Sequence, residues 1–169
     1  MNESVYYSSP LGTLQINNAG NAISGLRFVN RKGAVIMQED KVVFDKPRSR
    51  AIKKCITQLD KYFSGKLFEF DLELAQEGTA FQQNVWNELL KIGYGRTESY
   101  LSLSRRIGNV KAIRAVGTAN GKNNIAIIVP CHRIIGSNGS LVGYGGDLWR
   151  KQWLLEHEAK YANGVQTLF

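Results

Sequence analysis

The stretch SLSRRIGNVKAIRAVGTANG, residues 102–121, holds two short helical runs separated by Gly108. A glycine can adopt the left-handed conformation that ends one helix and turns the chain into the next. Helix, glycine turn and helix in a basic region is the outline of a helix-turn-helix, although many helical pairs share it. The second run is built from Ala112, Ala115, Gly117 and Ala119, with Arg114 the long side chain in its middle. Readers of the major groove carry Arg, Asn or Gln aimed at base edges. A helix of small residues instead lets its backbone approach a groove closely, or packs tightly against another helix. Spacing alone leaves both readings open.

Outward from this pair, Phe81, Val85, Leu89 and Leu90 form a helical stripe that should end near Gly93. NNIAIIVP, residues 123–130, reads as a short buried strand. DLWRKQWLLEHEAKY, residues 147–161, reads as a last amphipathic helix with Leu148, Trp149, Trp153, Leu154 and His157 inward and Lys151 exposed. The first forty residues alternate as strands around turn signals at Pro10–Gly12 and Gly20–Asn21. PRSRAIKKCITQLDKYFSG, residues 47–65, places Ile52, Cys55, Ile56, Leu59, Tyr62 and Phe63 on one helical face, which makes Cys55 a small core hydrophobe. KLFEFDLEL, residues 66–74, alternates like a further strand, and AQEGT resembles a linker. Two domains are expected, 1–77 and 78–169, in an α/β (α+β) chain.

The composition excludes several classes. At 169 residues with 43% hydrophobic content the chain can bury a core without staples, and two widely separated cysteines support neither a disulfide framework nor a zinc site. The N-terminus has neither a charged nor an apolar leader region, so a reducing cytoplasm is expected, and no apolar run approaches bilayer length. The net charge is +8 and the pI about 9.6. Residues 1–77 carry 11 basic and 9 acidic side chains, and residues 78–169 carry 11 and 5. The excess therefore lies in the second half, which points towards a polyanion, with a generally basic solvated surface as the other reading.

That half also holds Cys131 beside His132, after Pro130 and before a glycine-rich loop. An imidazole near a thiol lowers its pKa towards the reactive thiolate. In an extended strand the two side chains would point to opposite faces, whereas a turn after Pro130 would relax that restriction. His132 needs an acid on its far nitrogen, and Glu158 and Glu156 are the candidates. Helical spacing favours Glu158, which shares a face with Trp153 and Leu154. The other reading is a buried structural cysteine with a capping histidine. Gly139, Gly143, Gly145 and Gly146 would let backbone amides face a ligand, with Tyr144 as an aromatic wall.

IVPCHRII, preceded by RAVGTANGKNN and followed by GYGGDLWRKQWLLEHE, resembles the O6-alkylguanine-DNA alkyltransferases, and the likeness extends to FQQNVWNELLKIGYGRTESY. It covers residues 79–158, while the first 77 match only in general layout. The resemblance implies a ribonuclease H-like first domain acting as scaffold, and a winged-helix-like second domain that binds DNA and accepts the alkyl group. It makes Cys131 the acceptor, His132 the base acting through a water, and Glu158 the acid that polarises it. Tyr100 would rotate the 3′ phosphate and protonate the leaving guanine, and Asn123 would tie the recognition helix to the active-site strand. Arg114 would fill the gap left by the flipped base. Asn109, Lys111, Ala115 and Ser137 would join Tyr100 and Arg114 on DNA. Ile134, Tyr144, Gly145 and Gly146 would line the base pocket, with the carbonyls of Cys131 and Ile134 accepting the guanine amino group.

The function so implied is irreversible, single-turnover transfer from O6-alkylguanine, and more weakly from O4-alkylthymine, in double-stranded DNA. No cofactor, metal, membrane or obligatory protein partner is expected, and the chain should be a monomer. Family members commonly read Asn-Pro where this chain has Asn123-Asn124, and some carry a serine at Gly145 or a zinc site in the first domain; neither is present here. Two other classes stay open on the residues themselves: a helix-turn-helix regulator with an incidental cysteine, and a cysteine hydrolase.

Overall fold

A computed structural model describes residues 2–30, 47–141, 143–144 and 147–163. Its architecture is mixed α/β, in two compact units, Met1–Glu77 and Gly78–Phe169.

In the first unit β1 (Ser4–Ser9), β2 (Gly12–Ala19) and β3 (Ala22–Phe28) form an antiparallel meander. Alternation sends Leu14, Ile16, Ile23, Leu26 and Phe28 into the core. α1 (Arg50–Phe63) packs on this sheet and buries Ile52, Cys55, Leu59 and Tyr62. Its N-terminus is capped twice. Ser49 accepts from the Ile52 amide at 3.3 Å, and the Glu3 carboxylate accepts from the amides of Arg48 and Ser49, placing negative charge at the positive end of the helix.

Residues 66–74 do not form the expected strand. Leu72 and Leu74 keep the alternation as half-buried positions, but pairing is limited to one parallel bridge between Leu74 and Ile23, and Phe68 is exposed. The Gln58 side chain supplies what a ladder would have supplied: it donates to the Asp71 carbonyl and accepts from the Asp71 amide, each at 2.9 Å.

In the second unit α2 (Ala80–Leu89) starts with a Thr79/Gln82 capping box. Val85, Trp86 and Leu89 turn inward, and Trp86 Nε1 donates to the Ala119 carbonyl at 2.9 Å. Leu90, expected on that stripe, is exposed because the helix ends before it. β4 (Glu98–Ser99) leads directly into α3 (Tyr100–Ile107). Gly108 caps α3 at φ 90°, where a β-carbon would be strained. The second helix of the pair opens as a 3-10 turn, Val110–Ala112, and continues as α4 (Ile113–Gly121). Arg106 braces α3 against Glu98 and Glu88.

The segment 123–130 is buried at Ile125, Ile127, Ile128 and Val129, yet it is a turn, not a strand. One side chain replaces the ladder: Asn123 Nδ2 donates to the carbonyls of Val129 (2.9 Å) and Ile125 (3.3 Å), and its Oδ1 accepts from the Ile125 amide at 3.0 Å. Ile127 is thereby held at φ 72°, which for a β-branched residue costs on the order of 1–3 kcal/mol. A 3-10 turn, Cys131–Arg133, follows, then β5 (Ile134–Ile135), parallel to β4. α5 (Leu148–Ala162) closes the unit with a different inner face from the one expected. Arg150, Lys151, Leu154, His157 and Glu158 are buried, Trp153 is half-buried against His157, and Leu148 and Trp149 are exposed. Among the described residues no helix is long and apolar enough to cross a membrane.

Candidate active site

Pro130 ends the buried turn, and the next three residues wind into the 3-10 turn that carries Cys131, His132 and Arg133, all buried. This winding lets neighbouring side chains serve one site, which an extended strand would forbid. Cys131 is 6% exposed, and its Sγ receives the Asn123 Nδ2 hydrogen at 3.2 Å. Burial pushes its thiol pKa up, while Asn123, the Lys151 charge and local amides pull it down without winning. The resting group is a thiol, not the thiolate expected from the nearby imidazole.

His132 is fully buried, with Nε2 2.7 Å from Glu158 Oε2. Burial lowers its pKa against the opposing pull of Glu158, and the cations Arg133 and Lys151 lower it further. A neutral ring facing a carboxylate donates from Nε2, so the lone pair lies on Nδ1. Nδ1 is buried and has no hydrogen-bond partner among the described residues. The imidazole is thus a base with its accepting atom unengaged.

Glu158 is the hub. Besides His132, its carboxylate accepts from Arg133 Nε at 2.8 Å and Nη2 at 3.0 Å, and from the Gly95 amide at 3.3 Å. Burial alone would raise its pKa, but His132 and Arg133 outweigh burial and hold it well below the usual carboxylate range. Gly95 sits at φ 74°, and a β-carbon there would collide with Ala162. The rival acid, Glu156, is exposed and accepts from Gln152 at 3.0 Å.

Lys151, expected in solvent, is 0% exposed. It stands seven residues before Glu158, two turns along the same helical face, and its Nζ donates to the carbonyls of Ile134 and Gly143. Burial lowers its pKa to about 8, against the pull of Cys131. The Ile134 carbonyl, expected to face a guanine amino group, is therefore already an acceptor for Lys151. The Cys131 carbonyl likewise receives the Ile134 amide, with Asn120 Nδ2 at 3.5 Å.

Tyr100 opens α3, half-buried. Burial raises its pKa, and a hydrogen bond with the Asn120 side chain opposes that push. A β-carbon on Gly143 would stand 3.4 Å from the Tyr100 hydroxyl, so the tyrosine borders the glycine loop. Tyr144 is half-buried; its hydroxyl is buried without a hydrogen-bond partner among the described residues, and burial raises its pKa well above 10. Gly145 and Gly146 lie outside the described residues.

The other expected contacts form no part of this cluster. Asn109, Lys111, Arg114 and Ala115 are exposed around the start of the second helix, and Ser137 is exposed after β5. Asn109 Oδ1 caps the 3-10 turn by accepting from the Lys111 amide at 3.1 Å. Three site residues went unnoticed in the sequence: Arg133, Lys151 and Asn120. Arg133 had a signal, being a charge inside the apolar run IVPCHRII. Lys151 had one too, in its spacing from Glu158.

The family model for the DNA-binding domain of 6-O-methylguanine DNA methyltransferase matches residues 80–160, and the model for its ribonuclease-like domain matches residues 4–76. A methylated-DNA–protein-cysteine methyltransferase of Mycobacterium tuberculosis is 46% identical over 161 residues, 95% of this chain and 94% of that protein. This chain belongs to the 6-O-methylguanine DNA methyltransferase family. Within that methyltransferase family, the crystal structure of the M. tuberculosis O6-methylguanine methyltransferase superposes with a TM-score of 0.83 at 44% identity, covering 100% of this chain and 99% of that one. The structure of M. tuberculosis OGT in complex with DNA gives 0.81 at 44% identity, over 94% and 93% of the two chains.

Proposed function

We propose that this methyltransferase-family chain repairs DNA by moving the alkyl group of O6-alkylguanine onto Cys131, once per molecule. The observation that carries this reading is the Cys131–His132–Arg133 turn held against Glu158: a buried thiol beside a base whose accepting nitrogen is unengaged. The related OGT crystallised with DNA supports DNA as the partner.

In the proposed reaction His132 Nδ1 takes the thiol proton through an intervening water, and Glu158 stabilises the imidazolium. The thiolate lone pair forms an S–C bond to the alkyl carbon while the C–O6 bond breaks, its electron pair remaining on guanine. Tyr100 protonates the departing base, and the proton now on His132 makes good the one Tyr100 gave. The balance is one thiol proton exchanged for one alkyl group, with no oxidant, reductant or cofactor needed. The product is a thioether, which water does not cleave, so the transfer runs once per chain.

The target carbon lies inside the base stack, so the nucleotide must be extruded, at a cost of a few kcal/mol. Exposed Arg114 and Lys111 on the second helix would bind phosphates or fill the gap. Asn109, Ala115 and Ser137 would lie along the same DNA, reading groove shape more than sequence. Tyr144, Ile134, Gly145 and Gly146 would form the pocket, and weaker action on O4-alkylthymine is expected. Every proposed chemical group belongs to residues 78–169, so a monomer suffices, with residues 1–77 as scaffold. A reactive thiol suits the reducing cytoplasm.

Incubation with an oligonucleotide carrying one O6-methylguanine should restore guanine and add one methyl group to the peptide containing Cys131. Restored guanine with an unmodified peptide, or no restoration, would defeat the proposal.

A further inference from the structure

We propose that Arg133 is a positioning residue of the transfer, sharing the Glu158 carboxylate with His132 and thereby setting how readily the imidazole takes the thiol proton. The inference rests on the reading of Cys131 as the alkyl acceptor.

Glu158 offers two oxygens. Arg133 holds both, Oε1 through Nε at 2.8 Å and Oε2 through Nη2 at 3.0 Å, and Oε2 is the oxygen that His132 Nε2 meets at 2.7 Å. Arg133 is itself fixed, its Nη1 donating to the Ile92 carbonyl at 2.6 Å and its guanidinium 5.8 Å from the centre of the Tyr94 ring. The imidazole therefore bonds to an anion whose charge is already largely met.

An unshared carboxylate would pull a proton onto the ring and keep it there, leaving Nδ1 unable to accept from Cys131 at neutral pH. A carboxylate shared with a fixed cation still orients Nε2–H but holds the imidazolium less tightly. Among the described residues, the other charged or titratable groups around His132 are Cys131 beside it and Lys151 and Glu158 from α5, with Tyr94 after α2 and Tyr144 in the loop bearing on Glu158. Of these, Lys151 is the second cation, and it bonds to carbonyls rather than to the shared oxygen. Burial and both cations lower the His132 pKa, which agrees in direction.

The test is the pH dependence of Cys131 alkylation by iodoacetamide, read by peptide mass in the full chain, for the unchanged protein, Arg133→Lys and Arg133→Met. Removing a cation beside a titrating thiol–imidazole pair raises its apparent pKa. The acid limb should move up by about one pH unit or more in Arg133→Met. Arg133→Lys keeps the charge without the two-pronged bond and should fall between. An unmoved limb in a folded Arg133→Met chain overturns the proposal, as do equal shifts in the two variants. Should Arg133→Met not fold, an unmoved limb in Arg133→Lys overturns it. Iodoacetamide needs no DNA, so the outcomes separate. A moved limb without methyl transfer from DNA shows Arg133 tuning the Cys131–His132 pair but removes the transfer it was proposed to serve, so the alkyl-transfer reading falls; an unmoved limb with methyl transfer overturns the role of Arg133 alone.

Discussion

The chain buries two cysteines, one in each unit, and their surroundings differ more than their exposure does. Cys55 lies mid-helix in α1, among Ile52, Leu59 and Tyr62, and burial alone pushes its thiol up to about 12. Cys131 is nearly as buried, but it is placed on a 3-10 turn within reach of Asn123, with the charge of Lys151 nearby and His132 next in sequence. In the first setting no described residue makes a hydrogen bond to the thiol. In the second, a neutral imidazole with a free lone pair and an ionised partner can receive the proton. Burial thus makes Cys55 inert, whereas at Cys131 the same desolvation keeps the thiol protonated until a base acts on it. On the proposed reading, what separates a core thiol from a nucleophile is the polar mount, not access to water.

The sharpest way to break this contrast is to exchange the roles. Cys131→Ala should reduce methyl transfer from O6-methylguanine DNA to background while duplex binding, measured by gel shift, persists. Lost binding would instead make Cys131 a structural residue. Glu158→Gln removes the anion that orients His132 and balances Arg133. Transfer should fall by about 10²–10⁴-fold, the range of general acid–base assistance. Stability should fall by about 3–5 kcal/mol in chemical denaturation, because Arg133 is left as an uncompensated buried charge. A fully active Glu158→Gln chain would refute the mount.

Arg114→Ala tests the surface rather than the mount. Loss of the charged side chain that fills the gap left by the flipped base should weaken affinity at all sequences and lower the salt slope by about 1 in a salt titration. A change confined to one short DNA sequence would point to base reading instead. Acid should also weaken the fold. The pKa values of His132 and Glu158 are both depressed in the folded chain. Their stabilising contributions are therefore complete above the unfolded values, about 6.5 and about 4.3, and are lost as pH falls towards the folded ones. The melting temperature should decline from about pH 6.5 downward; a flat profile to pH 4 would contradict the assignment. Cys55→Ala should produce the smallest effect, about 1 kcal/mol from a small cavity, with transfer unchanged.

How far these features could be read beforehand depended on whether backbone or side chains met the local hydrogen bonds. Periodicity found the β1–β3 meander, α1 and the α3–Gly108–α4 pair, because each satisfies its own backbone groups. It mistook 66–74 and 123–130 for strands because alternation and apolar runs report burial, not pairing. Gln58 and Asn123 satisfy those backbones from outside the pattern. At the site, the Cys131, His132 and Glu158 set was legible from spacing and resemblance together. Arg133 and Lys151 were not, since charged residues are assigned to solvent by default. Glu158 and two carbonyls bury these two instead. Leu148 and Trp149 erred in the opposite direction, through a helical phase set by hydrophobicity alone.

The most direct test of the central claim is a titration of the full-length chain with excess duplex carrying O6-methylguanine, counting restored guanines and weighing both cysteine peptides. One guanine restored per chain, one methyl group on Cys131 and none on Cys55 is the expected result. More than one guanine restored per chain, or a methyl group found anywhere but Cys131, would contradict it.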